Sequence, residues 1–482
     1  MTTDSENSSP RKPRIWLRLL LALGILLVGL VVVLLVTNAM IGAGGRSKMA
    51  DLVARLDAED PSWRWDQINA ERPMPTNVEN AALVMQAALK AQVPWAKDDL
   101  QMSDGKGLLE EVTSNQLLDE ERQKKLQAAL GKQKAVLAVA VSLRNFPKGR
   151  IPVELAPDVI STLLPHIQQC RDVVHLLDLD AERLCLENRP AEVAERIEAI
   201  LRTGDILRDE PFMVSGMVRI AIRSIAARRV ERLLGLTEPP DAVCDRLRKE
   251  IAAQRQDNLL LVVLRGERAS VHQLMNTLRS GGLSPGAVVA GAAGRPTPGS
   301  LGLSLASWLY GGRMDEDQAS ALEWMTRACD VARLPPSEQP LAWKEYDRDL
   351  AEFITKSKSS LRNLLTVQLM PSAGKTAEAA LRDRAYLGCL EMALAAEQYR
   401  LRHGHWPKSL ADLGPDLAKE VPDDPFTGKK LLYRTDNEGC IVYSTGQDGV
   451  DDAARKLSLR QDPGTDLGVR VWNPKLRRLP GR

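Results

Sequence analysis

The chain has 482 residues, enough for two or three separate cores, and its 65 Lys+Arg against 63 Asp+Glu leave a net charge of +2. No global field therefore points to nucleic acid or to an acidic substrate. Aromatics make up 4% of the residues while Leu and Ala recur throughout, which favours helices over strands and sets the expected fold class as mainly α. Cys170, Cys185, Cys244, Cys329, Cys389 and Cys440 show no C-x-x-C spacing, so no zinc or redox motif is visible and buried, unpaired thiols are expected.

Residues 1–18 form a basic tail with Arg11, Lys12, Arg14 and Arg18. Leu19 to Val36 carries no charge, and the apolar stretch runs on to Ile41. About 20 residues cross the hydrocarbon core, so residues 19–41 are expected to be a transmembrane helix in contact with the lipid bilayer. Arg46 and Lys48 alone follow it, and the bias places the N-terminus in the cytoplasm and the body outside. A cleaved signal peptide ending at Ile41-Gly42-Ala43 is the competing reading. Its apolar core would exceed the roughly 7–15 residues that such peptides use, so an uncleaved anchor is expected.

Residues 46–370 read as an extracytoplasmic helical domain, an irregular bundle or set of helical hairpins. Trp63 and Trp65 fit either the membrane interface or packing on the body. Thr76-Asn77-Val78-Glu79 has the letters of a capping box opening a helix through Ala82, Met85 and Leu89. Further helices are expected over 119–143, 160–186, 191–207, 242–264, 315–334 and 341–369. Between them, a helix with Val218, Ile222, Val230 and Leu233 on one side carries Arg219, Arg223, Arg228, Arg229 and Arg232 elsewhere. That run suits anionic lipid heads or an acidic partner, or a solvated face paired with neighbouring carboxylates; the last is the expectation. Residues 281–312 are dense in Gly and Pro and read as a long loop or linker.

Three motifs offer chemistry and lack its context. Gly282-Leu283-Ser284-Pro285-Gly286 matches G-x-S-x-G without a preceding strand. Gly374-Lys375-Thr376 resembles the end of a phosphate loop, but Leu369 stands where its first glycine belongs, and it reads as a helix cap. His403 and His405 flank a turn with no third ligand in view.

Residues 371–482 form the last module, a small α+β unit of one long helix plus an antiparallel hairpin sheet. The helix, about Thr376 to Arg402, is apolar on two sides and must be covered twice, by the sheet and by the body. It ends at Tyr399-Arg400-Leu401-Arg402-His403-Gly404-His405-Trp406-Pro407. Asp424-Pro425-Phe426-Thr427-Gly428 follows, then strands over 431–435 and 440–444, with a third suggested over 467–472. This order of parts resembles the globular head of the major pseudopilin of bacterial type II secretion, and a similar ending occurs in uncharacterised membrane-anchored bacterial proteins with a helical body. The membrane segment differs from a pilin leader: it lacks the Gly before the cut and the Glu at the fifth mature position. Asp448, Asp451 and Asp452, with carbonyls near Ser444 and Thr445, give the oxygen-rich spacing that calcium takes. The resemblance implies structural calcium at this loop, although Ala453-Ala454 departs from the Gly-rich sequence expected there; a solvated Asp/Gly turn is the alternative.

The expected role is a non-enzymatic envelope scaffold or interaction module in a bacterial inner membrane, with an unnamed protein partner and no nucleic acid. The alternatives are an envelope hydrolase whose site is assembled from distant residues and an accessory component of a secretion apparatus.

Overall fold

The first helix, α1 (Ile15–Glu59), runs 45 residues without a break. The computed structural model describes residues 15–96, 100, 102, 107–110, 112–156, 159, 161–281, 313–358, 363–370, 373–458 and 464–481. It is mainly helical, 65%, with this one apolar N-terminal helix and one small antiparallel sheet. Along α1 the described apolar side chains from Leu21 to Val36 are exposed, whereas Met49, Leu52 and Leu56 are buried with Trp63, Ala319 and Leu322. The partner helix is α11 (Met314–Arg333). Gly45 is needed at this crossing, because a Cβ there would lie 2.7 Å from the Glu316 backbone nitrogen. The helix thus passes the boundary expected over residues 41–46 without a turn.

Trp63 is fully enclosed and meets His272 edge-on at 4.7 Å, while Trp65 in α2 (Trp65–Ala70) packs on Phe212 at 5.1 Å. Both tryptophans belong to the body. In α3 (Ala81–Lys90) the cap is Asn80, whose side chain accepts from the Ala82 N–H at 3.1 Å. The expected capping box is instead a turn before the helix, in which the Thr76 hydroxyl donates to Glu79 at 2.8 Å. The stretch expected as one helix over 119–143 is two, α4 (Glu120–Gly131) and α5 (Lys134–Val141). Next come α6 (Pro165–Leu186) and α7 (Pro190–Asp205), each opening on a proline, whose missing N–H costs nothing at that position.

The central helix is α8 (Met213–Leu236). The helix expected over 242–264 is again two, α9 (Asp241–Arg255) and α10 (Leu259–Arg279), separated where the Asp257 carboxylate turns back onto α8. After α11 come α12 (Gln339–Lys358) and α13 (Leu364–Leu369). The 31-residue α14 (Ala373–His403) precedes the sheet β1 (Leu432–Asp436), β2 (Gly439–Ser444) and β3 (Leu467–Trp472). The strands lie antiparallel in the order β1-β2-β3, with Leu432 opposite Tyr443 and Ser444 opposite Leu467.

One apolar cluster joins α6, α7 and α8 to α14 and the sheet, through Leu177, Ile197, Leu233, Leu390, Val442 and Val469. Each such side chain contributes roughly 1.5–3 kcal/mol on burial. Cys389 faces β3, with its sulfur 3.8 Å from the Leu467 carbonyl, and Glu391 reaches Arg255 of α9 at 2.9 Å. The long helix is therefore held between the sheet and α9. A second cluster, with Leu264, Met325, Trp343 and Tyr346, joins α10, α11 and α12. All six cysteines are buried and unpaired.

Candidate functional site

Four of the five arginines on α8 point inward, against the expectation of a solvated face: Arg219, Arg223, Arg229 and Arg232 are all buried. Near the start of the helix, Arg219 reaches Asp205 at 2.9 Å and also pairs with Asp257. Arg223 bonds Asp257 at 2.7 Å and Asp383 of α14 at 3.0 Å. Burial pushes the Asp257 carboxyl up, but Arg219, Arg223 and Arg208 outweigh it and hold it below the usual range. Burial, aided by Arg223, draws the Arg219 guanidinium down to about 10.

Near the other end, Arg229 pairs with Asp178 at 2.7 Å and with Glu182, and Arg232 also pairs with Glu182. Arg232 further donates to the carbonyls of Thr113 and Gln116, at 2.6 Å each. This ties the 112–118 segment to the helix. Gly235 allows the approach, since a Cβ there would sit 2.2 Å from the Ser114 carbonyl oxygen. Burial raises the Glu182 carboxyl, and the two arginines more than reverse that, leaving it below its ordinary value.

A cleft of about 850 Å³ opens over this second cluster. Its walls are α8, the 112–118 segment, the 454–458 turn and one face of β3. Strand alternation supplies the last: Gly468, Arg470 and Trp472 line the cleft while Leu467, Val469 and Val471 are buried in the core. The Trp472 ring N–H donates to the Ser114 hydroxyl at 2.9 Å, closing one end. Arg470 is committed to Asp436 at 2.9 Å and Glu438 at 3.1 Å. Arg228 and Arg455 line the cleft and are exposed, and their side chains make no ion pair or hydrogen bond among the described residues. Glu231 lines the same cleft and receives a hydrogen bond from the Tyr386 hydroxyl. Burial pushes its carboxyl up to about 8, against the opposing pull of Arg228. At neutral pH the cleft thus holds a largely neutral acid beside two uncommitted guanidiniums, a lining suited to carboxylate or phosphate oxygens.

The residues singled out in the sequence lie elsewhere. The Asp448 carboxylate accepts from the Val450 N–H at 3.0 Å, and that of Asp451 from the Ala453 N–H at 2.8 Å and the Tyr443 hydroxyl at 3.2 Å. Ala453 and Ala454 adopt positive φ, 56° and 49°. The turn points the Ala454 N–H at buried Asp466, at 2.7 Å, so its centre offers a donor to a carboxylate. Among the described residues, Asp448, Asp451 and Asp452 included, no group of three His, Cys, Asp or Glu side chains is placed to hold a metal ion. His403 and His405 are exposed, with ring centroids 6.3 Å apart, and each turns its Nδ1 to a backbone carbonyl, of Tyr399 and Trp406. Gly374-Lys375-Thr376 lies inside the first turns of α14 and is not its cap. The G-x-S-x-G stretch at 282–286 and nearly all of the 281–312 loop lie outside the described residues.

A buried trio deserves comparison with a catalytic triad: His166 meets Glu210 at 2.8 Å, and the Ser215 hydroxyl donates to Glu210 at 2.6 Å. The carboxylate stands between the other two, so the histidine cannot take the serine proton, and all three are buried. Sequence reasoning missed Arg228, Glu231, Tyr386 and Arg455 as a group. Only the arginine run gave any signal.

No protein-family description matches the chain, and no curated protein or solved structure matches it either.

Proposed function

We propose that this chain is a single-pass, membrane-anchored interaction protein of the bacterial envelope, with its N-terminus in the cytoplasm and its body in the extracytoplasmic space. The observation that carries the reading is α1: apolar and exposed over Leu21 to Val36, then buried in the body from Met49 onward in the same unbroken helix. An apolar face of that length, open to solvent, costs free energy unless lipid covers it. Helical backbone through Gly42-Ala43 supports an uncleaved anchor over a signal peptide, and the arginines and lysine of residues 11–18 support the orientation. The cleft between α8 and β3 is the docking site for the partner. On this reading the C-terminal region, a long helix packed on a small antiparallel sheet, is pseudopilin-like and serves beside a secretion apparatus.

Alkaline carbonate extraction of membranes tests the anchor. The full chain should stay in the pellet and a chain lacking residues 1–41 should not. Release of the full chain, or a mature N-terminus at residue 44, would contradict it.

One observation favours a second reading, an envelope hydrolase. Glu231 holds a proton near neutral pH inside a cleft, the condition a general acid requires. That reading requires a hydrolytic activity of the purified protein that Glu231→Gln removes.

A further inference from the structure

The cleft's lining is specific enough to name a ligand class. We infer that it binds the carboxylates of an acidic, extended peptide segment of a partner protein, with Arg228 and Arg455 as the two recognition residues; this rests on the reading of the cleft as the docking site. Arg228 comes from α8 and Arg455 from the turn after β2, so two carboxylates on one strand-like segment can be held from different walls. The other three cleft arginines are committed: Arg229 and Arg232 to Asp178 and Glu182, Arg470 to Asp436 and Glu438. Val112, Leu457 and Trp472 also line the cleft and offer apolar surface for the peptide's backbone and methylenes.

A nucleic acid fits less well. Its backbone needs many cations in a row, whereas two here are uncommitted and the chain's net charge is only +2. Because the Arg228 and Arg455 side chains make no ion pair or hydrogen bond among the described residues, changing them should leave the fold intact, which makes the test clean.

Fluorescence anisotropy of the detergent-solubilised full chain would use a labelled peptide of glutamates, a glutamine peptide of equal length, inorganic phosphate and phosphatidylglycerol vesicles. The glutamate peptide should bind saturably and the glutamine peptide should not. Arg228→Ala and Arg455→Ala should each weaken binding by about tenfold, the loss of one charge-assisted pair, with an unchanged melting temperature. Equal binding of the two peptides, retention of binding in the double variant, or stronger competition by phosphate or vesicles would overturn the inference. In-cell crosslinking separates this from the broader reading. If Leu457→Trp, which adds bulk to the cleft wall, loses a crosslinked partner that the double arginine variant keeps, the carboxylate chemistry is wrong and the docking site stands. If the partner persists in both variants, the docking site itself is wrong.

Discussion

The two ends of α8 use the same residue type in opposite ways. Toward its start, Arg219 and Arg223 are locked among Asp205, Asp257 and Asp383, bridging α7, the link between α9 and α10, and α14. Toward its end, Arg229 and Arg232 are equally locked by Asp178 and Glu182, but Arg228, one residue away, faces the cleft without a partner. Buried ion pairs repay their desolvation only in good geometry, so the locked arginines position helices. An arginine left uncommitted beside a neutral carboxyl is free to bind something else. Commitment of the guanidinium, not the presence of arginine, separates structure from site.

The largest effect should come from removing Glu182. Its loss leaves Arg229 and Arg232 buried without their shared carboxylate and should cost about 3–5 kcal/mol, read as a large fall in melting temperature. Gly235→Ala comes next. Its Cβ would collide with the Ser114 carbonyl and push the 112–118 segment off the helix, costing roughly 1–3 kcal/mol.

A pH titration of stability sharpens the contrast, because the two glutamates act with opposite sign. Glu182 is held below its unfolded value, so its contribution is complete above the ordinary carboxylate range and is lost as pH falls through its folded value. Glu231 is raised to about 8, so its contribution is complete below about 4.5 and is lost as pH rises toward 8. Glu231→Gln should therefore gain stability relative to the parent chain between pH 5 and 8. The gain should be below the ceiling of about 1.4 kcal/mol per pH unit, since Glu231 is only partly buried and solvent screens it. A flat difference between the two chains would show that Glu231 is not held protonated. The smallest effect belongs to Arg228→Ala and Arg455→Ala, each within about 0.5 kcal/mol of the parent.

The helical character and the apolar first helix were legible in the sequence, because Leu19 to Val36 has no charge and Leu and Ala dominate the body. The three strands were also legible near their observed bounds, 432–436, 439–444 and 467–472. The unbroken run of α1 through Gly42, Gly44 and Gly45 was not, since glycines weaken helices locally; packing on Glu316 explains Gly45, whereas Gly44 has open space around it. The break after Arg255 was hidden for the same reason: Asp257 is drawn out of the helix by arginines more than thirty positions earlier. The cleft was illegible because its walls come from residues near 114, 182, 228, 386, 455 and 470, which no local spacing connects. Local reasoning found the Asp448–Asp452 loop instead, whose geometry is set by Asp466 and the Tyr443 hydroxyl.

The most direct test places a photo-crosslinking amino acid at position 112, in the cleft wall, and at position 345, an exposed site on α12, in cells making the full chain. A discrete protein adduct from position 112, recovered in the membrane fraction and absent from position 345, is the predicted result. No adduct at 112, the same adduct from both positions, or recovery in the soluble fraction would contradict a membrane-anchored protein that docks its partner in this cleft.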